Sequence, residues 1–521
     1  MENLMGTVDL LIKRNVYRYP DKVASIYGEE RLTYGDLNKR INGLIHGLAA
    51  LGIEKGDRVA IFSHNHGRYL EFLFGAAKGG FALCTINCML KEKELIYILQ
   101  DSGSKAIIYH PQYHELIQSA AGQCPELKFK IAFDGPPAGG LDYEKMVASS
   151  PQDEPDVRID PDDLLLLVYT SGTTGKPKGV MLTHYNIFFN ALDSVTGVEL
   201  KQTTMDLIVL PLFHVAASVL QAYGTLYIGG TNLVLSRFDP REFLETIERE
   251  KVDFTFVVPT MLFRILELPD VKKYDLSSMR MLGYGAAPMP YDRLKKSIEV
   301  FGKVLFQGYG LTETSANICV FRPEDHLLEG SEAQLKRLRA CGREHSNHLL
   351  RVVNEKNQEV APGEVGEIVI KSPSVMKGYW KNPEATTKVI VDGWFHSGDM
   401  ATTDEEHYLY IVDRKNDMII SGGENIYPKE LEDFLFSHPA ILEAAVIGVP
   451  HPDWGEVPKG FVVLREGMTA TEEELIQFCK KNLAGYKCPK SFVFLKDLPK
   501  TASGKITRAA LKEKYGRGIP P

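Results

Sequence analysis

The sequence has few of the features that mark exported or membrane-spanning proteins. Its seven cysteines are scattered, with no Cys-x-x-Cys pair and no histidine at zinc-ligand spacing, so neither a disulfide framework nor a zinc site is expected. The first residues lack the basic flank and the apolar run of a signal peptide. The longest apolar stretch, about 207–230, carries Pro211, His214 and Gln221 and is too polar to span a membrane. We therefore expect a cytoplasmic protein with no transmembrane segment.

Positive charge is not in excess either. Lys and Arg number 60 against 68 Asp and Glu, and the net charge of -8 argues against a nucleic-acid partner, although a small anionic ligand is compatible with it. The 521 residues, 44% of them hydrophobic and 25% charged, are enough for a large core and several domains. The oligomeric state stays open, a homo-oligomer included.

Helical and strand-like segments alternate through most of the chain. Thr33 and Asp36 can cap a helix whose apolar residues share one face, and a strand at 58–63 follows it. Further apolar strands are predicted at 82–86, 164–169, 254–258 and 303–306. This alternation is typical of an α/β fold with mostly parallel sheets.

The pattern changes from about residue 413 onward, where the chain reads as a separate compact unit. Pro428 opens a short helix, and strands are predicted at 442–449 and 459–464. Thr471 and Glu474 form a capping box for another helix. We predict a small α+β domain that follows a large N-terminal one.

A glycine-rich loop follows the apolar strand at 164–168. Its backbone N–H groups and side chains can surround a polyphosphate, and the residues concerned are Thr170, Ser171, Gly172, Thr173, Thr174, Gly175, Lys176 and Lys178. Only two residues separate Gly172 from Gly175, and Pro177 stands where a Walker A loop has Ser or Thr, so a P-loop NTPase is disfavoured. A loop that is merely flexible remains an alternative for this stretch taken alone.

Together with five later segments, this loop resembles the signatures of the adenylate-forming superfamily, which comprises acyl-CoA synthetases, luciferases and the adenylation domains of peptide synthetases. The later segments are, in order, 283–288, 307–314, 394–399, 413–428 and 499–505. The resemblance extends from about residue 8 to residue 512. It implies an AMP-forming acid–thiol ligase that uses ATP, Mg²⁺ and CoA.

The resemblance also implies roles for the polar residues of these segments. Glu313 would hold the Mg²⁺, with Thr312 beside it at the phosphates. Asp399 would accept the ribose hydroxyls, and Arg414 would bind the ribose and the phosphates. Lys505 would bridge the acid carboxylate and the α-phosphate. The remaining nucleotide-binding positions would be Gly285, Ala286, Ala287, Gln307, Gly308, Tyr309 and Gly310, where small residues form a wall for the adenine and Tyr309 stacks. Taken singly, Glu313 and Lys505 are more typical of solvated surface residues, Asp399 of a turn and the adenine-wall positions of core.

Members of this superfamily alternate between two poses of the small domain, and the resemblance extends this behaviour to the present chain. Asn416 would be the hinge; most relatives have Asp or Lys there, but asparagine tolerates unusual backbone angles. Gly423 would line the tunnel for the pantetheine thiol, where a side chain would obstruct it, and Gly422 beside it is a further cofactor-binding position. A turn glycine is the alternative interpretation of Gly423. The implied division is an adenylation domain at 1–413, a hinge at 414–418 and a mobile C-terminal domain at 419–521.

His214 corresponds to the residue that gates the acid pocket in the superfamily. The wall of the pocket would be formed by Val215, Ala216, Val257 and Tyr284, with Val258, Gly308 and Val320 as further positions. No acidic residue stands where amino-acid-activating members bind an α-amino group, so amino-acid activation is disfavoured. A buried structural histidine is the alternative interpretation of His214.

The implied substrate is a hydrophobic carboxylic acid, with a medium- or long-chain fatty acid as first choice and an aryl or alicyclic acid as second. Free CoA is the expected acceptor, and the thiol of a carrier protein is the alternative. A luciferase-like oxygenase would share the fold. A non-catalytic ATP-binding protein is a third class, and the joint presence of Lys505, Glu313 and Gly423 argues against it.

Overall fold

The structure is a computed structural model, and it describes residues 6–135, 140–170, 176–287, 289–415, 417–422, 424–500 and 506–516. The strands are β1 Val23–Tyr27, β2 Glu30–Thr33, β3 Arg58–Phe62, β4 Ala82–Ile86, β5 Ala106–Tyr109, β6 Phe129–Ala132, β7 Leu141–Asp142, β8 Leu164–Thr170, β9 Lys178–Thr183, β10 Met205–Ile208, β11 Thr231–Val234, β12 Phe254–Val257, β13 Met281–Gly285, β14 Leu305–Gly310, β15 Asn317–Phe321, β16 Arg343–Glu344, β17 Leu349–Val353, β18 Gly366–Lys371, β19 Gly378–Tyr379, β20 Ile390–Val391, β21 Trp394–Thr403, β22 Leu409–Arg414, β23 Ile419–Ser421, β24 Glu424–Ile426, β25 Ile441–His451, β26 Gly455–Leu464 and β27 Ser491–Phe494.

The helices begin and end as follows: α1 Asp9–Arg18, α2 Tyr34–Ala50, α3 Gly67–Gly79, α4 Glu92–Ser102, α5 His114–Ala121, α6 Tyr143–Ser149, α7 His184–Gly197, α8 Gly224–Ile228, α9 Pro240–Glu250, α10 Pro259–Leu266, α11 Tyr291–Phe301, α12 Glu332–Arg337, α13 Pro383–Val389, α14 Pro428–Leu435, α15 Glu472–Asn482 and α16 Arg508–Tyr515. A π-helix, Ala216–Tyr223, precedes α8. None of the helices in the described parts of the chain is long and apolar enough to cross a membrane.

The first sheet has eight strands in the order β19-β9-β8-β4-β3-β5-β6-β7. The pairs β3–β4, β3–β5, β4–β8 and β5–β6 are parallel, as expected for strands connected through helices. The predicted cap of α2 is present, because the Thr33 side chain accepts a hydrogen bond from the backbone N–H of Asp36.

The second sheet has nine strands in the order β16-β15-β14-β13-β12-β10-β11-β1-β2, and β10 to β14 run parallel. Hydrophobic clusters cover both of its faces. One, the helix-α7 cluster, contains Phe256, Phe306 and the buried residues of the π-helix. The other, the helix-α9 cluster, contains Val257 and Tyr284 with residues of α9, α10 and α11. Successive side chains of a strand therefore pack into different hydrophobic clusters.

The rest of the chain forms two smaller sheets. One has the order β17-β18-β21-β20, with β22 paired to β21, and the other has the order β24-β23-β26-β25, with β27 paired to β26. The last sheet packs with α14, α15 and α16 around hydrophobic clusters of its own. The predicted fold class, α/β with mostly parallel sheets and a small C-terminal α+β domain, is confirmed.

Candidate active site

The predicted phosphate loop leaves the carboxyl end of β8. Residues 171–175 lie outside the described residues, but both flanks are present, with Thr170 paired to Lys178 on the antiparallel strand β9. The Nζ atom of Lys178 lies 5.0 Å from the centroid of the Tyr379 ring, and that of Lys176 lies 5.8 Å from the Tyr97 ring. Two cations on aromatic faces thus border the loop.

Glu313 lies in a short 3₁₀ turn, Thr312–Thr314, directly after β14. The Tyr379 hydroxyl donates a hydrogen bond of 3.0 Å to Oε1 of Glu313. Burial and the nearby Glu313 both raise the pKa of Tyr379, so its hydroxyl keeps its proton and remains a donor. The sequence motifs did not single out Tyr379, which the structure brings between Lys178 and Glu313.

Asp399 is held from two sides. Its side chain is 5% exposed, the Tyr309 hydroxyl donates to Oδ2 at 2.6 Å, and Nε of Arg414 lies 2.5 Å from Oδ1. Burial alone would lower the pKa of Arg414, but the charges of Asp399, Tyr309 and Glu313 raise it, so the guanidinium stays charged. These three predicted residues come from β14, β21 and β22 and meet in space, whereas the bond between Tyr309 and Asp399 was not anticipated.

The small residues predicted to form the adenine wall lie where strands β13 and β14 end. A Cβ on Gly285 would stand 2.3 Å from the carbonyl oxygen of Gly308, so no side chain fits there. Ala286 has a φ of 64°, which is uncommon for a residue other than glycine and frequent at functional sites. Ala287 and Gln307 are partly exposed in the same region, and Gly310 lies at a shift in the β14–β15 register.

His214 closes a turn in which its backbone N–H donates to the carbonyl of Pro211 at 2.9 Å. The π-helix begins two residues later, at Ala216, and Ser218 donates its hydroxyl to the carbonyl of His214. π-helical turns are rare in proteins overall, but those that occur are often found at functional sites. The sequence pattern did not predict this one. Val215 is buried and Ala216 partly buried, both at the helix-α7 cluster.

A buried carboxylate anchors the π-helix to β10. Gln221 donates from Nε2 to Oδ1 of Asp206 at 2.7 Å, and Thr225 donates its hydroxyl to Oδ2 at 3.0 Å. Burial raises the pKa of Asp206 to about 8. The sequence analysis did not identify this residue, because a single Asp in an apolar strand carries no pattern.

Two of the residues predicted for the acid pocket lie on the other face of the second sheet from Val215 and Ala216. Val257 and Tyr284 are fully buried in the helix-α9 cluster, on the sheet face opposite the π-helix, and the Tyr284 hydroxyl bonds His326 Nε2 at 3.0 Å. The reason is strand alternation, since the neighbouring positions Val258 and Gly285 face the other side.

Three predicted residues, Asn416, Gly423 and Lys505, lie outside the described residues. Gly422 is described and has a φ of 60°, and a Cβ there would meet the Trp454 ring at 2.6 Å.

Residues 12–380 match the AMP-binding enzyme family, and residues 430–505 match the AMP-binding enzyme C-terminal domain. The chain belongs to the AMP-binding enzyme family. It is 41% identical over 498 residues to a feruloyl-CoA synthase of Amycolatopsis, covering 95% of this chain and 96% of the relative. It is 35% identical to the long-chain-fatty-acid–CoA ligase FadD13 of Mycobacterium tuberculosis, covering 94% of each chain.

Among solved structures, that of the anthranilate CoA ligase AuaEII in complex with anthranoyl-AMP is similar, with a TM-score of 0.89 and 26% identity over 98% of this chain and 97% of the other. The predicted enzyme class, an AMP-forming acid–CoA ligase, is confirmed by this membership. ATP, a carboxylic acid and CoA are the substrates that fit the family.

Proposed function

We propose that this enzyme joins an aryl-substituted carboxylic acid to CoA through an acyl-adenylate. The observation that carries the proposal is the contact of Asp399 with Tyr309 and Arg414, close to the pair formed by Glu313 and Tyr379. A buried carboxylate held by two donors is preorganised to receive the two hydroxyls of a ribose.

In the first step, an oxygen of the acid carboxylate attacks the α-phosphorus of ATP, and the bond to the β-phosphate breaks, releasing pyrophosphate. Two anions must approach each other in line, so neutralisation of charge and orientation supply most of the catalysis. Lys176, Lys178 and the backbone of residues 170–175 would bind the phosphates. Lys505 would stabilise the charge that develops between the carboxylate and the α-phosphate.

Mg²⁺ would be held by Glu313 beside Thr312 and would neutralise phosphate charge. The residues present fit such an ion, because a carboxylate oxygen is the ligand type that Mg²⁺ prefers and the Tyr379 hydroxyl fixes its direction.

In the second step, the CoA thiolate attacks the acyl carbon, and AMP leaves with the electron pair of the broken C–O bond. We propose that the C-terminal domain, 419–521, turns about Asn416 between the two steps and removes Lys505 from the site. Gly422 and Gly423 would then border the path of the pantetheine, and His214 would gate the acid pocket.

An aryl acid is proposed ahead of a fatty acid because the relatives at 41% identity are named feruloyl-CoA synthases, and FadD13 is 35% identical. A fatty acid is the second candidate. It is supported by that relative's name and by the small residues Val215 and Ala216 at the start of the π-helix.

The function is tested by measuring pyrophosphate release with ring-containing and straight-chain acids, with and without CoA. We expect acid-dependent release, acyl-CoA only with CoA, and kcat/KM highest for an aryl acid. Pyrophosphate release without any acyl-CoA would overturn the ligase proposal. A higher kcat/KM for a straight-chain acid would replace the aryl acid with the second candidate.

The roles of the C-terminal domain are tested in the two half-reactions. Lys505→Ala is expected to slow acyl-adenylate formation by several orders of magnitude while thioester formation from supplied acyl-adenylate continues. Lys500→Ala is the matched control, because that lysine is paired with Glu443.

Gly423→Leu is expected to keep ATP–pyrophosphate exchange and lose CoA turnover. Equal loss in both half-reactions for either variant would refute the two poses.

A further inference from the structure

Helix α4 packs against the strand that carries the predicted phosphate loop. Its residues Leu95, Ile98 and Leu99 are buried in a hydrophobic cluster that also contains residues of β3, β5 and β8. The position of the helix relative to β8 is therefore fixed by apolar packing. Tyr97 and Asp101 are four residues apart in this helix, so their side chains lie on the same side of it.

Asp101 binds the N-terminal end of the loop. The Tyr169 hydroxyl donates a hydrogen bond of 2.5 Å to Oδ2 of Asp101, and Tyr169 directly precedes Thr170, the last residue of β8. Burial raises the pKa of Tyr169, and the nearby Asp101 adds to this effect. The hydroxyl therefore keeps its proton and remains the donor in this bond.

Tyr97 binds the C-terminal end of the loop. Its hydroxyl donates a hydrogen bond of 3.1 Å to the carbonyl oxygen of Pro177, and Nζ of Lys176 lies 5.8 Å from the centroid of its ring. Strand β9 begins one residue after this proline, at Lys178. One helix thus contacts the chain at both ends of the predicted phosphate loop.

The C-terminal end of α4 is itself held in place. The carbonyl oxygen of Asp101 accepts hydrogen bonds from Nε1 of Trp380 at 2.9 Å and from Nζ of Lys381 at 2.7 Å. A carbonyl in the last turn of a helix lacks a partner within the helix, and a cation there also interacts favourably with the helix dipole. Trp380 in turn donates its backbone N–H to the carbonyl of Gly179 on β9 at 2.7 Å. These bonds join α4, β9 and the segment after β19 into one connected unit.

Fixed ends matter for a loop that binds phosphates. If its N–H groups and lysines became ordered only when ATP bound, the lost conformational entropy would reduce the affinity. The contacts with α4 hold both ends in position before the nucleotide arrives. In the proposed function the loop binds the phosphates, whereas Asp399 and Arg414 bind the ribose from β21 and β22.

We propose that Tyr97 and Asp101 are positioning residues that hold the two ends of the phosphate loop and thereby determine the affinity for the β- and γ-phosphates of ATP. This inference rests on the proposed ligase function. Loss of either contact should weaken ATP binding and slow acyl-adenylate formation. AMP binding and thioester formation from supplied acyl-adenylate should be unaffected, because neither ligand carries these two phosphates.

Isothermal titration calorimetry with Mg²⁺–ATP and with AMP, each without the acid so that no turnover occurs, tests this inference. Tyr97→Phe removes one neutral hydrogen bond and should weaken ATP binding by about 2- to 10-fold. Asp101→Leu removes a charged acceptor and should weaken it by about 10- to 100-fold. Asp101→Asn keeps an acceptor oxygen for Tyr169 and should recover most of the affinity. The affinity for AMP should match that of the wild type in all three variants.

Tyr34→Phe is the matched control for Tyr97→Phe. The Tyr34 hydroxyl also donates to a backbone carbonyl, that of Gly230 at 2.7 Å, but Tyr34 lies on α2. This variant should change neither affinity. The double variant Tyr169→Phe with Asp101→Leu should bind ATP as Asp101→Leu alone does, because both substitutions remove the same bond.

The outcomes separate this inference from the ligase function. Equal weakening of ATP and AMP binding, unchanged ATP binding, or slowed thioester formation from supplied acyl-adenylate would overturn the positioning role while leaving the ligase function intact. Tyr97→Phe, the smaller change, decides the question if Asp101→Leu does not fold. Absence of acyl-CoA with every acid in the wild-type enzyme would instead refute the ligase function itself.

Discussion

At the scale of single residues, the candidate site depends on groups that are far apart in the chain. Glu313 receives its hydrogen bond from Tyr379, 66 residues later, on the two-residue strand β19. That strand pairs with β9, which begins at Lys178, and the Lys178 ammonium lies over the Tyr379 ring. One tyrosine therefore joins the end of the phosphate loop to the proposed metal ligand. The hydroxyl fixes the direction of one carboxylate oxygen, and the aromatic face receives the lysine.

We expect Tyr379→Phe to weaken adenylation without unfolding the protein. A hydrogen bond to a charged group contributes about 1.5–3 kcal/mol, so kcat/KM for acyl-adenylate formation should fall about 10- to 100-fold. The Mg²⁺ concentration for half-maximal activity should rise, because Glu313 loses its orientation. Tyr410→Phe is the control, because Tyr410 lies on β22 and its hydroxyl donates a hydrogen bond of 2.8 Å to Oδ2 of Asp404. An unchanged Mg²⁺ dependence in Tyr379→Phe would contradict the assignment.

At the scale of elements, the π-helix and β10 form one unit through Asp206. The carboxylate accepts from Gln221 and Thr225, and Gln221 also donates to the carbonyl of Leu207. The π-helix is therefore held against the neighbouring strand by a buried acid. The raised pKa shows that this arrangement disfavours the charged carboxylate.

Asp206→Asn should stabilise the protein increasingly with rising pH. The pKa of Asp206 is about 8 in the folded protein and 3.8 ordinarily, so the wild type loses stability as pH rises from about 4 to about 8. The neutral asparagine avoids this loss, and the difference should grow by roughly 1.4 kcal/mol per pH unit in that window. Urea unfolding of both proteins between pH 5 and 8.5 measures it. A difference that does not depend on pH would show that Asp206 is not strained by burial.

Local patterns at this scale were predictable, and the faces of buried strands were not. The strand at 82–86 and the capping box of Thr471 and Glu474 agree with the structure, because both depend on nearest neighbours in sequence. Val257 and Tyr284 were grouped with Val215 and Ala216 but lie on the opposite sheet face, since a strand that is apolar throughout shows no alternation in its sequence. The contact of Tyr379 with Glu313 depends on the pairing of β19 with β9, which no local signal contains.

At the scale of the whole molecule, the last helix is bound to the strand that precedes the proposed hinge. Arg508 on α16 contacts Asp413 at 3.0 Å, Asp417 at 3.1 Å and Glu432 at 2.7 Å. The side chains of Asp413 and Glu432 are 2% and 11% exposed, so both charges depend on this arginine. The same three groups raise the pKa of Arg508 against the effect of burial, which alone would lower it.

Arg508→Ala is expected to destabilise the protein strongly. Removing one member of a buried ionic cluster leaves its partners uncompensated, at a cost of about 3–5 kcal/mol. Lys388→Ala breaks an exposed pair with Glu384 and should cost at most about 1 kcal/mol. Both are measured from urea unfolding followed by tryptophan fluorescence and circular dichroism. A loss for Arg508→Ala as small as that for Lys388→Ala would mean that the cluster does not hold the helix.

The pH dependence of stability is also a property of the whole molecule, because it sums over buried histidines in separate places. Burial lowers the pKa of His184, His326 and His345 to about 4 from 6.5. Nδ1 of His184 accepts a hydrogen bond from the backbone N–H of Val8, the residue before α1. Nε2 of His326 forms a hydrogen bond with the Tyr284 hydroxyl. All three are therefore neutral in the folded protein above pH 5 and become protonated more readily when it unfolds.

We expect the free energy of unfolding to fall as the pH drops below about 6.5. Each histidine has a folded pKa below its unfolded value, so its contribution is complete above 6.5 and is lost as the pH approaches 4. Three such groups contribute roughly 4 kcal/mol per pH unit well inside this window, and Asp206, whose contribution has the opposite sign, offsets about 1.4 kcal/mol per pH unit of it. Urea midpoints at pH 7.5, 6.5, 5.5 and 5.0 measure the slope. Repeating the series in about 1 M salt separates buried groups from surface pairs, since salt screens mainly the latter. A free energy that is constant from pH 7.5 to 5.0, or a fall that salt abolishes, would show that the three rings are not held neutral by burial.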